Sequence, residues 1–545
     1  MKSLSPTRFR AAAWLFPLLF VAGGCQKPAP PPPDAPRLVL FLVVDQMRAD
    51  YLERFQPLWT GGFARLLAES NDFVAAYHEH AVTTTSPGHT TLATGLFPSH
   101  HGVIDNNWYD AREKDEVYAV EDEEGTLSPR RLLGTGLTQW LKARYPSSRA
   151  FSFSGKDRAA ILMGGPQVDG AFWFDRKKGG FGSSKFYRLA KPSWLKDLNR
   201  NRPAAAAFGQ PWQPCEAAAK VLADPAERAR FGIVEPSHGA FAAGFPHAVG
   251  GFSSGPDSDY YNALYTTPRI DELTGEAAAA ALKAEKLGQG PTPDVLFVSF
   301  TAVDTVGHAY GPASPEVLDT LLRLDAVLGH LLEAVDSAVG LDHVVISLSA
   351  DHGVVPLPEA EAAAGRPAHR LTAQELSCFQ GVEARLEKRW GEGPWLNEFW
   401  VLDAKALAKK GLAAAEAQKG VAEELATCPG VARVWTRAEL ATPAAEADPR
   451  GRLFARSLAP GRGPDVMIDW QPGFLALLGT GTTHGTPAVE DSHVPWLLRL
   501  PGGHGQKLEE RVATVDVAPT LASLTGVPIP PDRDGQDRSA LLRKK

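Results

Sequence analysis

The sequence has no basic stripe and no long run of one charge. Its 56 basic and 63 acidic residues leave a net charge of −7, spread over 545 positions. That distribution excludes the electrostatic footprint of a nucleic-acid-binding protein. A run able to cross a bilayer is also missing: the uncharged, mostly apolar stretch Ala11–Gly24 covers 14 residues, against the ~20 a spanning helix needs. There is no internal repeat. With 44% hydrophobic and 22% charged residues, the composition is that of a globular protein and not of a disordered one. The chain is long for a single core, so it holds either several packed units or one core with large insertions.

Lys2, Arg8 and Arg10 precede that short apolar stretch, the pattern of a secretory signal peptide over residues 1–24. The stretch ends in Val-Ala-Gly-Gly-Cys, similar to a bacterial lipobox, with Cys25 as the lipidated residue. Ala22 stands where leucine is commoner. QKPAPPPPDAP follows Cys25 and completes the segment 25–36 as a stiff tether that would hold a domain off a membrane. Cysteine is scarce. Lipidation of Cys25 leaves Cys215, Cys378 and Cys428, enough in an oxidising compartment for one disulfide and one leftover thiol. Cys378 with Cys428 is the first pair to test, because both fall in one segment.

Four short apolar runs without clean alternation read as buried parallel strands: Leu38–Val44, Val295–Phe300, His343–Leu348 and Val494–Leu500. Between them Pro315–Val339 places Val317, Leu321, Leu324, Leu328, Leu331 and Val335 on one helical stripe. Alternating strands and helices predict an α/β fold, a central mostly parallel sheet flanked by helices. Two segments break the rhythm. The expected organisation is a catalytic core over residues 37–365 with an insertion around 165–290, an inserted cap over 366–463, and the rest of the core over 464–545.

Three strand candidates lead to an aspartate: Asp45, Asp304 and Asp351. Ligands of open α/β sheets bind beyond the C-terminal strand ends, so these carboxylates are expected on one rim. His308 follows Asp304 by one helical turn, His352 adjoins Asp351, and His484 sits in a Gly/Thr loop. Two imidazoles with one Asp, or two Asp with one His, each make a three-ligand zinc site. Two metals would clamp both oxygens of an in-line displacement. The loop TTTSPGHTTLATG at 83–95 is either a turn that caps a helix or the bearer of a threonine nucleophile at a helix N-terminus.

Taken together, VVDQMRADYL, TTTSPGHTTLATGLFPSHHGVIDN, TAVDTVGHAYGP, SADHGV and GTTHGTP resemble the alkaline phosphatase superfamily. They are most similar to the branch joining nucleotide pyrophosphatase/phosphodiesterases to PafA-type bacterial alkaline phosphatases. The resemblance implies Asp304, His308 and His484 as one zinc site and Asp45, Asp351 and His352 as the other. It implies Thr85 as the nucleophile and a metal-bound residue, with Asn106 bonding a phosphoryl oxygen. SGKDRAAIL at 154–162 is similar to the Lys-x-Arg element of the monoesterases, which assigns Lys156 and Arg158 to the phosphoryl group. Two cations suit a dianionic monoester better than a diester.

The resulting expectation is an alkaline phosphatase acting on small-molecule phosphate monoesters through a phosphothreonine at a two-zinc site. It would be a monomer in the periplasm or cell envelope, touching a membrane only through its N-terminal lipid. The alternative is a phosphodiesterase or nucleotide pyrophosphatase with the same metals. A sulfatase would need Cys or Ser followed by x-Pro-x-Arg, where this chain has Thr85 and His89. A degenerate, non-catalytic lipoprotein would have lost ligands, and all six are present.

Overall fold

The computed structural model describes residues 30–32, 34–187, 192–234, 244–250 and 253–543. The chain divides into Met1–Pro30 and Pro31–Lys545, and the description below concerns the second unit. The expected signal peptide and the expected lipidation site, Cys25, lie outside the described residues.

The main sheet holds β1 (Leu38–Val44), β2 (Asn71–Phe73), β3 (Ala150–Ser154), β4 (Gly170–Asp175), β5 (Gly180–Gly182), β6 (Asp294–Phe300), β7 (Val344–Ser349), β8 (Trp496–Arg499) and β9 (Gln506–Leu508). Across the sheet they run β9-β2-β8-β7-β1-β6-β3-β4-β5. The central strands β7, β1, β6, β3 and β4 are parallel, so the expected α/β architecture is present.

Every residue of β1, β6 and β7 is buried, because both sheet faces are covered. Alternate residues of β1 feed two cores. Leu38, Leu40, Leu42 and Val44 meet α3 (Arg269–Ala284) and α5 (Pro315–Val339), while Val39, Phe41 and Val43 share a cluster with Leu92 and Leu521. α5 has the bounds its periodicity predicts, and its stripe from Val317 to Val335 is buried. Ser314 caps it by accepting from Val317 N at 3.1 Å, and Gly340 follows its last residue. Each fully buried leucine on that stripe contributes about 1.5–3 kcal/mol of transfer free energy.

The expected strand Val494–Leu500 is divided at Pro495. His493–Val494 pairs antiparallel with Ala76–Tyr77 outside the main sheet, and β8 enters it antiparallel to β7. Proline has no N–H for the ladder, so one continuous strand cannot run through it. The strand expected at His343–Leu348 is displaced by one residue, and that expected at Val295 begins at Asp294. The stretch 165–290 is not set apart from the core: β4 and β5 extend the sheet and α3 covers one face. Two strand pairs cross the expected boundary at 463: Val466–Trp470 pairs with Val431–Thr436, and Phe474–Leu475 with His369–Arg370.

Candidate active site

The four adjacent strands β7, β1, β6 and β3 all deliver polar residues from their C-terminal ends. Asp45 follows β1 directly, Asp351 and His352 come two and three residues after β7, and Lys156 comes two residues after β3, just before α2 (Asp157–Gly164). After β6 the chain enters α4 (Ala302–Tyr310), which places Asp304 in its first turn and His308 one turn later. Asp304 is therefore a helix residue and not the end of a strand. Parallel strands put all these side chains on one rim.

The candidate ligands fall into two groups, Asp304 with His308 and His484, and Asp45 with Asp351 and His352. Within each group one ligand atom per residue lies within 4.8 Å of the others. Backbone carbonyls decide the imidazole tautomers. Nδ1 of His308, His484 and His352 contacts Thr482 O at 2.8 Å, Thr83 O at 2.8 Å and Gly353 O at 2.9 Å. A carbonyl only accepts, so each Nδ1 carries a proton, and Nε2 is the atom that offers a lone pair to the rim when the ring is neutral. His308 Nε2 and His484 Nε2 lie 3.1 Å apart, 3.2 and 3.5 Å from Asp304 Oδ1. Lone pairs that close to each other and to a carboxylate fit a shared cation. Asp45 Oδ1 and His352 Nε2, both buried, have no hydrogen-bond partner, and they fit one as well. Three aspartates with three imidazoles are the donors zinc accepts.

The electrostatics agree. Burial, then the nearby Asp304 and Asp351 carboxylates, push the Asp45 carboxyl well above its ordinary range. Burial also opposes ionisation of Asp304, but the Lys156 ammonium and His308 outweigh it and hold that carboxyl well below its usual value. Lys156 Nζ is 2.5 Å from Asp304 Oδ2 and 2.7 Å from Asp45 Oδ2.

Thr85 opens α1 (Thr85–Thr94). Thr84, the cap residue, turns its hydroxyl away to donate to Asp105 Oδ1 at 2.8 Å. The capping acceptor comes from elsewhere: Asn106 Oδ1 takes Ser86 N at 2.9 Å and Ser86 Oγ at 2.8 Å. With its oxygen held there, the Asn106 amide presents its nitrogen as a donor. Asn107, the neighbour in sequence, is exposed. Thr85 Oγ1 lies 3.3 Å from Lys156 Nζ and 3.5 Å from an Arg158 guanidinium nitrogen. Arg158 Nε is buried without a hydrogen-bond partner, which suits an anion held beside Thr85. All ten predicted residues among those described thus share one rim.

Sequence reasoning missed two residues that join these parts. Gln46, at φ 66°, donates its backbone N–H to Asp351 Oδ1 at 3.1 Å and its amide to Asp304 Oδ1 at 3.0 Å. It links both ligand groups, and no sequence signal marks a glutamine for that task. His89 sits in the second turn of α1 and is fully buried. Its Nδ1–H donates to Thr85 O at 2.9 Å beside Asp351 Oδ2 at 3.1 Å, and its Nε2 accepts from Ser299 Oγ at 2.8 Å. Gly88 lets α1 approach this closely, since a Cβ there would lie 2.1 Å from Asp351 O.

The model of the family "Type I phosphodiesterase / nucleotide pyrophosphatase" matches residues 39–493. The chain belongs to this family. Among the curated relatives of this type I phosphodiesterase/nucleotide pyrophosphatase chain is alkaline phosphatase PhoV of Synechococcus elongatus, 31% identical over 93% of this chain and 93% of that protein. Alkaline phosphatase PhoK of a Sphingomonas species is 32% identical over 92% and 90%. Alkaline phosphatase PafA of Elizabethkingia meningoseptica is 30% identical over 95% and 96%. A crystal structure of wild-type PafA superposes with a TM-score of 0.82, at 29% identity over 93% of this chain and 98% of that one. The fold agrees with that of PafA. A solved PafA variant carries substitutions at a threonine, an asparagine 21 residues later, and a lysine and arginine two residues apart. Thr85 and Asn106 have the same types and separation, as do Lys156 and Arg158.

Proposed function

We propose that the protein is an alkaline phosphatase that hydrolyses phosphate monoesters through a phosphothreonine formed on Thr85. The carrying observation is the placement of Thr85 Oγ1 between the cations Lys156 and Arg158, at 3.3 and 3.5 Å, beside two metal-ligand triads. Asp304, His308 and His484 would hold one zinc ion, and Asp45, Asp351, His352 and Thr85 the other. Bound there, zinc would ease deprotonation of a hydroxyl and stabilise a departing oxygen.

In the first displacement Thr85 Oγ1 bonds to phosphorus as the bond to the ester oxygen breaks in line, and the alcohol leaves. Arg158, Lys156 and the Asn106 amide donate to the phosphoryl oxygens. Gln46 and His89 keep the two carboxylates and the start of α1 in register. Water then attacks phosphorus from the vacated side, and phosphate departs as Thr85 recovers its proton. The two cations favour a monoester, whose extra nonbridging oxygen they can bind, over the diester of the alternative reading.

Rapid quench with radiolabelled phenyl phosphate tests this reading. A phosphoryl group is expected on Thr85, and a label on any other side chain would refute the assignment. Export to the cell envelope and lipidation of Cys25 complete the proposal. The Cys378–Cys428 disulfide supports an oxidising compartment. No helix among the described residues is long and apolar enough to cross a membrane.

A further inference from the structure

A cavity of about 350 Å³ lies between the cap and the loops that carry the site. Trp108, Tyr109, Phe399, Trp400 and Trp470 line it. Its site-facing wall includes Asp105, which holds the Thr84 hydroxyl and precedes Asn106, and Gly485, which follows His484. Cap and rim therefore share this space. Its charged lining consists of two carboxylates, Asp105 and Glu398, and no lysine or arginine among the described residues. Trp108 is 2% exposed, and its Nε1 has no hydrogen-bond partner. Aromatic walls with few polar groups are the usual lining of a small-molecule site. The two carboxylates in the lining would repel a second phosphate group, whereas a flat ring would find faces and edges to pack against.

We infer that this cavity binds the organic half of the substrate and selects monoesters with an uncharged aromatic leaving group. The inference deepens the phosphatase reading and rests on it. Phe399 and Trp400 act as specificity-determining residues from the cap, and the aromatic group reaches them past the Asp105–Asn107 loop. An anionic aromatic group is rejected by Asp105 and Glu398.

The test compares zinc-loaded wild type with F399A and W400A, reading the ratio of kcat/KM for phenyl phosphate to kcat/KM for methyl phosphate. Each variant is expected to lower that ratio about tenfold, the scale of a lost apolar pocket contact. A ratio reports only on active molecules, so partial misfolding does not mimic the result. An unchanged or increased ratio in both variants overturns the inference. Calorimetry with phenylphosphonate and methylphosphonate separates this outcome from failure of the phosphatase reading. If wild type turns over neither ester, the reading fails. In that case the inference still requires phenylphosphonate to bind wild type more tightly and the variants to lose that advantage. Equal binding of the two phosphonates refutes it.

Discussion

The rim and the cap are stable for opposite reasons. On the rim Asp45, Asp351 and His352 are wholly buried, Asp304 is 3% exposed, and one lysine balances three carboxylates. Buried charge is costly unless fully paired, and here Asp45 Oδ1 and His352 Nε2 have no hydrogen-bond partner. The cap carries an apolar core of its own, with Val382, Leu386, Trp390, Val421, Leu425 and Val466. It is tied internally by the Cys378–Cys428 disulfide and the two-point Arg450–Asp469 pair at 2.8 and 2.6 Å. Arg450 also donates to Pro487 O at 3.0 Å, three residues from His484. Carboxylates crowded together on the rim, against an apolar core in the cap, mark the rim as the place where function outweighs stability.

If that contrast holds, rim substitutions should cost activity far more than stability. The largest effect is expected from Thr85→Ala. Loss of the proposed nucleophile should cut kcat by at least ~10⁴-fold while the melting temperature and zinc content, by elemental analysis, stay near wild type. Retained turnover above 1% of wild type would remove Thr85 from that role.

His484→Ala should differ in kind. It takes one ligand from the Asp304 group, so both activity and zinc stoichiometry should fall, from two ions per chain to about one. Prolonged chelation of the wild type should abolish turnover, with recovery on adding zinc. Elemental analysis showing two tightly held ions in the variant would contradict the ligand assignment.

Lys156 and Arg158 sharpen the comparison by separating substrate recognition from metal binding. Each is expected to bond the phosphoryl group with ~1.5–3 kcal/mol. Since 1.4 kcal/mol is tenfold in rate, removing both should lower monoester kcat/KM by about 10²–10⁴-fold. A diester has another substituent where the monoester has an oxygen, so its hydrolysis should fall much less. Lys156 also bridges Asp45 and Asp304, so Lys156→Met gives a cleaner reading when zinc is saturating. Equal losses on both substrates would favour the diesterase alternative.

What the sequence revealed follows the same division. Rim ligands come from few residue types, and Asp45 and Asp351 stand just beyond strand ends while Asp304 lies in the first turn of the helix after one, so these aspartates and their histidines were legible by type and approximate position. Gln46 was not, because its task depends on a left-handed backbone and on Asp351, 305 positions away. Asn106 drew its assignment from a family spacing, and its capping bond to Ser86 was beyond reach of that. Pro495 was visible, but the apolar run around it outweighed the proline and concealed a change of sheet. In the cap, the pairing of Val466–Trp470 escaped notice because the strand is short, and its partner Val431–Thr436 is 30 to 39 residues upstream by register. Arg450 and Asp469 are ordinary surface types whose pairing only the fold creates.

The smallest effect on catalysis, and the one that tests the cap's side of the contrast, belongs to the disulfide. Cys378–Cys428 closes a loop with a sequence separation of 50 around the helices Val382–Trp390 and Ala414–Leu425. Cross-linking restricts the unfolded chain more than the folded one, which for such a loop is worth about 2–4 kcal/mol. Both sulfurs sit beside the Arg385 guanidinium, at 3.8 and 3.7 Å. That contact can survive replacement by serine, so Cys378→Ser with Cys428→Ser should leave the cap folded at 25 °C. The Arg450 bonds to Asp469 and Pro487 are remote from the change, and the loop carrying His484 should keep its place. The double variant should therefore melt at a lower temperature by differential scanning calorimetry, yet turn over phenyl phosphate within about twofold of wild type at 25 °C. A large loss of kcat at 25 °C with zinc content unchanged would mean that the cap's covalent tie positions the rim. The two regions would then not be separable in the way their structures indicate.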